Sequence, residues 1–152
     1  MSHFTYSKTL ALCVALVSLS ASAQQTNPEG LWRNIDEKTG TPRSEIRLEV
    51  KDGVLSGRVL KSLRAGDDPG ARCTKCSGER KDQPIAGMVI MSGLRLSTSN
   101  PLLWENGEIV DPDNGSVYRA RIQLAAGGKS LEMRGYVGAP LFGRTQIWQR
   151  AE

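Results

Sequence analysis

Short runs of strict two-residue alternation, separated by turn dipeptides, constrain this chain more than any other feature. In Glu45-Ile46-Arg47-Leu48-Glu49-Val50 the apolar residues share one face and the charges the other, the period of a half-buried strand and not of a helix. Asp52-Gly53 supplies the positive φ angles of a tight hairpin, and residues 54–61 return as the partner strand. The same grammar recurs where Tyr118 to Leu124 alternates, Gly127-Gly128 turns, and Leu131-Glu132-Met133-Arg134-Gly135 alternates again. Asn106-Gly107 and Asn114-Gly115 read as further hairpin turns flanking a short strand at 108–110.

Counted this way, strands are expected at 31–35, 45–50, 54–61, 88–96, 101–104, 108–110, 118–124, 131–136 and 145–150, eight or nine in all. An antiparallel meander of that length leaves two exposed edges unless it closes. Closure at about eight strands gives an interior that holds side chains or one small ligand. An all-β, closed up-and-down barrel is therefore the expected fold, with a two-sheet sandwich as the alternative. In the closed form the first and last strands are neighbours. Arg150 can then lie over the Trp32 ring and seal the barrel base by cation–π contact.

The N-terminus has a different pattern. Lys8 precedes the apolar run Leu10-Ala11-Leu12-Cys13-Val14-Ala15-Leu16-Val17, and Ala21-Ser22-Ala23 follows. These are the parts of a cleavable signal peptide, expected over 1–23, with a short linker at 24–29 and one barrel domain at 30–150. The run is shorter than the roughly 20 apolar residues of a membrane span, so an integral membrane protein is not expected. A lipoprotein box at Cys13 is disfavoured by the bulky Leu12 before it. Cleavage near Ala23 would deliver the mature chain to the periplasm or the medium.

Cleavage also changes the available chemistry. His3, the single histidine, and Cys13 leave with the signal, so residues 24–152 hold no histidine, the commonest general base and metal ligand near neutral pH. With Lys8 gone, 19 Lys and Arg face 16 Asp and Glu. That balance lacks the concentrated basic face of a nucleic-acid binder, and export removes nucleic acid from the partner classes. Without histidine a serine nucleophile would need a lysine or carboxylate base, and no spacing nominates one. No catalytic residue is assigned, and no cofactor or metal is expected.

The arrangement Gly30-Leu31-Trp32 in the first strand with Arg150 in the last resembles the lipocalin and wider calycin pattern. The chain also resembles a bacterial family of short exported proteins, domain-of-unknown-function family 2147. The resemblance runs from Gly30 to Arg150 through Gly30-Leu31-Trp32, Asp36, Thr39-Gly40, Ser44, Cys73, Cys76, Ile109-Val110-Asp111-Pro112, Asn114-Gly115, Tyr118, Arg134-Gly135-Tyr136, Gly143-Arg144-Thr145 and Trp148-Gln149-Arg150. It implies a lipocalin-like barrel and an export address, and it transfers no catalytic residue.

The longest irregular stretch, residues 62–87, holds Cys73-Thr74-Lys75-Cys76. In an oxidising compartment two cysteines pair by default, and the small ring would shape the loop more than stabilise the domain. Redox catalysis would need the βαβ context of a thioredoxin-like site, and zinc would need two more ligands from carboxylates alone. Asp111-Pro112-Asp113-Asn114-Gly115 suggests a calcium loop but lacks the spaced ligands and terminal glutamate of an EF-hand; a turn is the expected reading.

Alternation directs Ile46, Leu48 and Val50, then Tyr118, Ala120, Ile122 and Leu124, and then Leu131, Met133 and Gly135 to the interior. With few aromatic residues and with Ala120 and Gly135 inward, the wall is expected to be thin enough to admit a guest. Ile46, Leu48, Val50, Tyr118, Ala120, Ile122, Leu131, Met133 and Gly135 are thus the candidate ligand-binding residues. A leucine at either Ala120 or Gly135 is expected to fill the space. The apolar segment around Pro140, Leu141 and Phe142 reads as a lip at the barrel mouth, a partner patch, or an inward plug. The expected function is non-enzymatic binding of a small apolar or amphipathic molecule. The alternative is a self-filled barrel that contacts an envelope protein through its loops.

Overall fold

A computed structural model describes residues 27–151; the expected signal peptide lies outside the described residues. Eight strands follow one another in chain order and close into an antiparallel barrel, so the sandwich is excluded. They are β1 (Gly30–Ile35), β2 (Pro42–Lys51), β3 (Val54–Ser62), β4 (Val89–Leu96), β5 (Leu103–Val110), β6 (Val117–Leu124), β7 (Ser130–Tyr136) and β8 (Gly143–Arg150). The seam is the β1–β8 pair, in which Trp32 stands opposite Arg150 and Asn34 opposite Trp148. No edge remains unpaired.

The turn residues do what their chemistry requires. Asp52 and Gly53 both have positive φ (52° and 73°), as do Gly127 and Gly128 (87° and 68°), so β2–β3 and β6–β7 connect tightly. Asn106-Gly107 does not. Only Asn106 enters the left-handed region, at φ 67°, and β5 runs through it as one strand with an extra residue opposite β6 between Trp104 and Gly107. The expected strands at 101–104 and 108–110 are therefore halves of one bulged strand. A Cβ on Gly107 would stand 2.5 Å from Leu94 Cδ1 and from the Ser92 carbonyl oxygen, so the bulge and the approach of β4 both depend on glycine here.

Inward residues alternate with outward charges such as Arg47, Glu49, Arg119, Arg121 and Glu132, the reverse of a membrane barrel's apolar exterior. No helix among the described residues is long and apolar enough to cross a membrane. Glu45 is buried on the outer face and held by Arg33 at 3.0 Å and Lys61 at 3.2 Å, an ion-pair ladder across the first three strands.

The base of the barrel is solid. Trp32, Leu48, Leu55, Leu94, Ile122, Leu124 and Leu131 are almost fully buried there, each side chain contributing on the order of 1.5–3 kcal/mol of transfer free energy. Arg150 covers the Trp32 ring, and the Trp32 indole N–H donates to the Pro28 carbonyl at 2.8 Å.

Candidate functional site

Because the barrel is an up-and-down meander, its connections alternate between ends. The β1–β2, β3–β4, β5–β6 and β7–β8 connections all gather at the end opposite Trp32. That end opens onto a cavity of about 1020 Å³, at the upper limit of common small-molecule sites. Its apolar wall includes Ile46, Val59, Ile90, Ile109, Tyr118, Met133, Gly135 and Trp148.

Four of the nine expected ligand-binding residues, Ile46, Tyr118, Met133 and Gly135, border this cavity. Leu48, Val50, Ala120, Ile122 and Leu131 face inward but pack into the core and do not line it. The division follows from depth. Alternation tells which face a residue is on, but not which turn of the barrel it occupies. Ala120 is fully buried among its neighbours, so it marks no free space. At Gly135 an added Cβ would meet Ile109 and Tyr118 atoms at 3.6 Å, an ordinary contact distance.

The cavity also contains a polar strip on the seam that the sequence reading missed. Asn34 and Gln146 border it, with Ser44 opposite Asn34 on β2. The Trp148 indole N–H donates to Gln146 Oε1 at 3.3 Å, and Asn34 Nδ2 donates to the same oxygen at 3.2 Å. Asn34 Oδ1 is buried and has no hydrogen-bond partner. The available signal was polar side chains at inward positions: Asn34 two residues after Trp32, and Gln146 two before Trp148.

Arg43, Arg64, Asp67 and Asp113 at the mouth are paired with one another. Arg64 holds Asp67 at 2.8 Å and Asp113 at 3.3 Å, and Arg43 reaches Asp113 at 3.6 Å. The Ser62 hydroxyl and then Arg64 keep the Asp67 carboxyl below the usual carboxylate range. The hydrogen bond to Asp113 raises the Arg64 guanidinium. These contacts tie the β3–β4 loop to the β5–β6 turn and to β2.

Cys73 and Cys76 are bonded to each other, with their Cα atoms 5.3 Å apart, and both are buried. The ring sits against the β5–β6 turn: a Cβ on Gly115, which has φ +76°, would fall 2.0 Å from the Lys75 carbonyl oxygen. In that turn Asp111 accepts from the Asp113 backbone N–H and from Asn114 Nδ2, so its carboxylate completes the turn.

The Pro140–Leu141–Phe142 segment does not fold inward as a plug. Leu141 is 80% exposed and Phe142 71%, and Phe142 and Val137 stand at the cavity rim. The segment is nonetheless anchored. Arg134 donates to the Pro140 and Leu141 carbonyls and to the Thr145 hydroxyl, and Val137 N–H pairs with the Phe142 carbonyl at 3.1 Å.

This barrel is similar in structure to protein HP1028 of the human pathogen Helicobacter pylori, described as belonging to the lipocalin family. The TM-score is 0.70 at 15% identity, over 83% of this chain and 84% of that one, a likeness of fold. No curated protein matches the sequence. The family model for uncharacterized proteins conserved in bacteria, DUF2147, matches residues 30–150. That span is the whole barrel from first strand to last, and the chain belongs to this family.

Proposed function

We propose that this protein is an exported, non-enzymatic carrier that holds a small apolar or amphipathic molecule in the open half of its barrel. The cavity of about 1020 Å³ carries the reading, since a barrel filled by its own side chains would have no such space. Its wall carries the apolar side chains of Ile46, Val59, Ile90, Ile109 and Met133 beside the amides of Asn34 and Gln146, and Arg43, Arg64, Asp67 and Asp113 at the mouth are engaged with each other, an arrangement suited to holding a guest. The signal-like pattern at 1–23 supports delivery to the periplasm or the medium.

Titration of mature protein with the uncharged fluorescent probe N-phenyl-1-naphthylamine tests the reading. Saturable binding at one probe per chain is expected, together with a change in tryptophan emission because Trp148 lines the cavity. Native mass spectrometry of gently purified material gives the second arm. A co-purifying small mass supports carriage; no probe binding together with a stoichiometric co-purifying protein overturns it. The exposed Leu141 and Phe142 side chains favour that competing role, an envelope contact through the mouth lip.

A further inference from the structure

We propose that the turn at residues 137–142 is a membrane-docking lip, which enters the headgroup layer of a lipid bilayer and holds the barrel mouth against the source of its apolar guest. This rests on the carrier reading and names where the guest is exchanged.

The lip is apolar, exposed and continuous with the cavity. Val137, Leu141 and Phe142 are 66%, 80% and 71% exposed, and no residue from 135 to 143 is charged. Val117, the first residue of the neighbouring β6, adds a fourth exposed apolar side chain at the same end of the barrel. Val137 and Phe142 also border the cavity, so whatever covers the lip lies beside the opening.

The backbone of the tip is equipped to leave water. The Ala139 carbonyl accepts from the Phe142 N–H at 3.0 Å, and the Phe142 carbonyl accepts from the Val137 N–H at 3.1 Å. Arg134 donates to the Pro140 carbonyl at 2.5 Å and to the Leu141 carbonyl at 3.2 Å. Pro140 has no N–H to desolvate. All four carbonyls of residues 139–142 are thus engaged within the protein, which is the condition for a backbone to enter an apolar phase.

Size favours lipid over a second protein. Three side chains of this kind present on the order of 400 Å² of apolar surface, about half of what each partner buries in a standard protein interface. The same tip enters the headgroup and acyl boundary to roughly 5–10 Å without needing a complementary pocket. Apolar burial must carry the attachment, because residues 24–152 set 19 Lys and Arg against 16 Asp and Glu. Arg144, beside the lip, is itself 3.8 Å from Glu37.

The experiment is co-sedimentation of residues 24–152 with vesicles of phosphatidylethanolamine and phosphatidylglycerol, at about 0.1 M and about 0.5 M NaCl so that charge is screened in the second. Wild type is compared with Leu141→Gln and Leu96→Gln. Leu141 does not line the cavity, so its substitution should leave binding of N-phenyl-1-naphthylamine in solution unchanged. Leu96 is 48% exposed at the end of β4, away from the mouth, and controls for general stickiness. Wild type should sediment at both salt concentrations. Leu141→Gln should lower the partition coefficient by roughly tenfold, the loss of one buried leucine side chain, while Leu96→Gln stays within about twofold. Probe binding in solution by a wild type that does not sediment, or sediments only at the lower salt, overturns the lip and leaves carriage standing. So does a Leu141→Gln variant that sediments like wild type, or a free chain that ignores vesicles but is held by a stoichiometric envelope protein. A wild type that neither binds the probe nor sediments overturns both.

Discussion

Arg150 lies over the Trp32 ring, 4.3 Å from its centroid, while its guanidinium donates to the backbone carbonyls of Asn27, Glu29 and Gly128. One side chain thereby joins the last strand to the first, to the segment before it and to the β6–β7 turn. Cation–π contact contributes about 0.5–2 kcal/mol, and hydrogen bonds from a charged donor contribute more than neutral ones.

Replacing Arg150 with Ala leaves three carbonyls without this donor and uncovers Trp32. The expected cost is about 2–4 kcal/mol, or a melting temperature lower by roughly 10 °C, with a change in Trp32 emission. Arg150→Lys should recover only part, because an ammonium cannot fork to three carbonyls while stacking on the ring. A thermal melt in which Arg150→Ala matches wild type would remove the residue from the closure.

Closure and alternation were both legible in the sequence because each follows from local chemistry: Asp52-Gly53 makes its turn with adjacent residues, and Ile46, Leu48 and Val50 share a face by period alone. Asn106-Gly107 was misread for the opposite reason. The same dipeptide is a bulge here because Leu94 and Ser92, on another strand, approach Gly107. Depth was equally hidden. Ala120 and Gly135 stand directly opposite each other on β6 and β7, yet one is packed into the core and the other borders the cavity. That difference is set by cross-barrel neighbours which no sequence window contains. Asn34 and Gln146 meet across 112 positions of chain, beyond any local pattern.

Gly115 should tolerate no side chain. At φ +76° alanine is strained, costing about 1–3 kcal/mol, and its Cβ would displace the Lys75 carbonyl. Gly115→Ala should lower the melting temperature and speed proteolysis within residues 62–87, as the cysteine ring loses its seat. Equal cleavage rates for variant and wild type would show that the ring does not depend on this turn.

Acid should loosen the mouth. The folded pKa of Asp67 is lowered by Ser62 and then Arg64, and that of Asp36 by the backbone N–H groups of Thr39 and then Lys38. With folded values below unfolded ones, the unfolded state binds more protons, so stability rises with pH through this window. The contribution is complete above the unfolded aspartate titration near pH 4 and disappears as pH falls through the folded values. Melting temperature should be flat from pH 7 to about 5 and decline below about 4. Asp67→Asn should shallow that decline; a steeper decline in the variant would contradict the assignment.

Gly135 and Ala120 give the sharpest test of where the space lies. Gly135 borders the cavity, and an added Cβ there would make only ordinary contacts, at 3.6 Å, with Ile109 and Tyr118. Gly135→Leu should therefore extend into the lumen, lower probe affinity by tenfold or more, and leave the melting temperature within a few degrees of wild type. Ala120 has no exposed surface and its neighbours are packed. Ala120→Leu should overfill the core at a cost of about 1–3 kcal/mol while acting on probe binding only through that strain. The two variants thus separate: one loses the guest and keeps its stability, the other loses stability first. If both are severely destabilised, the open half is already filled and the carrier reading fails. If both bind the probe as wild type does, the probe occupies another surface, and the exposed lip at Leu141 and Phe142 is then the place to look.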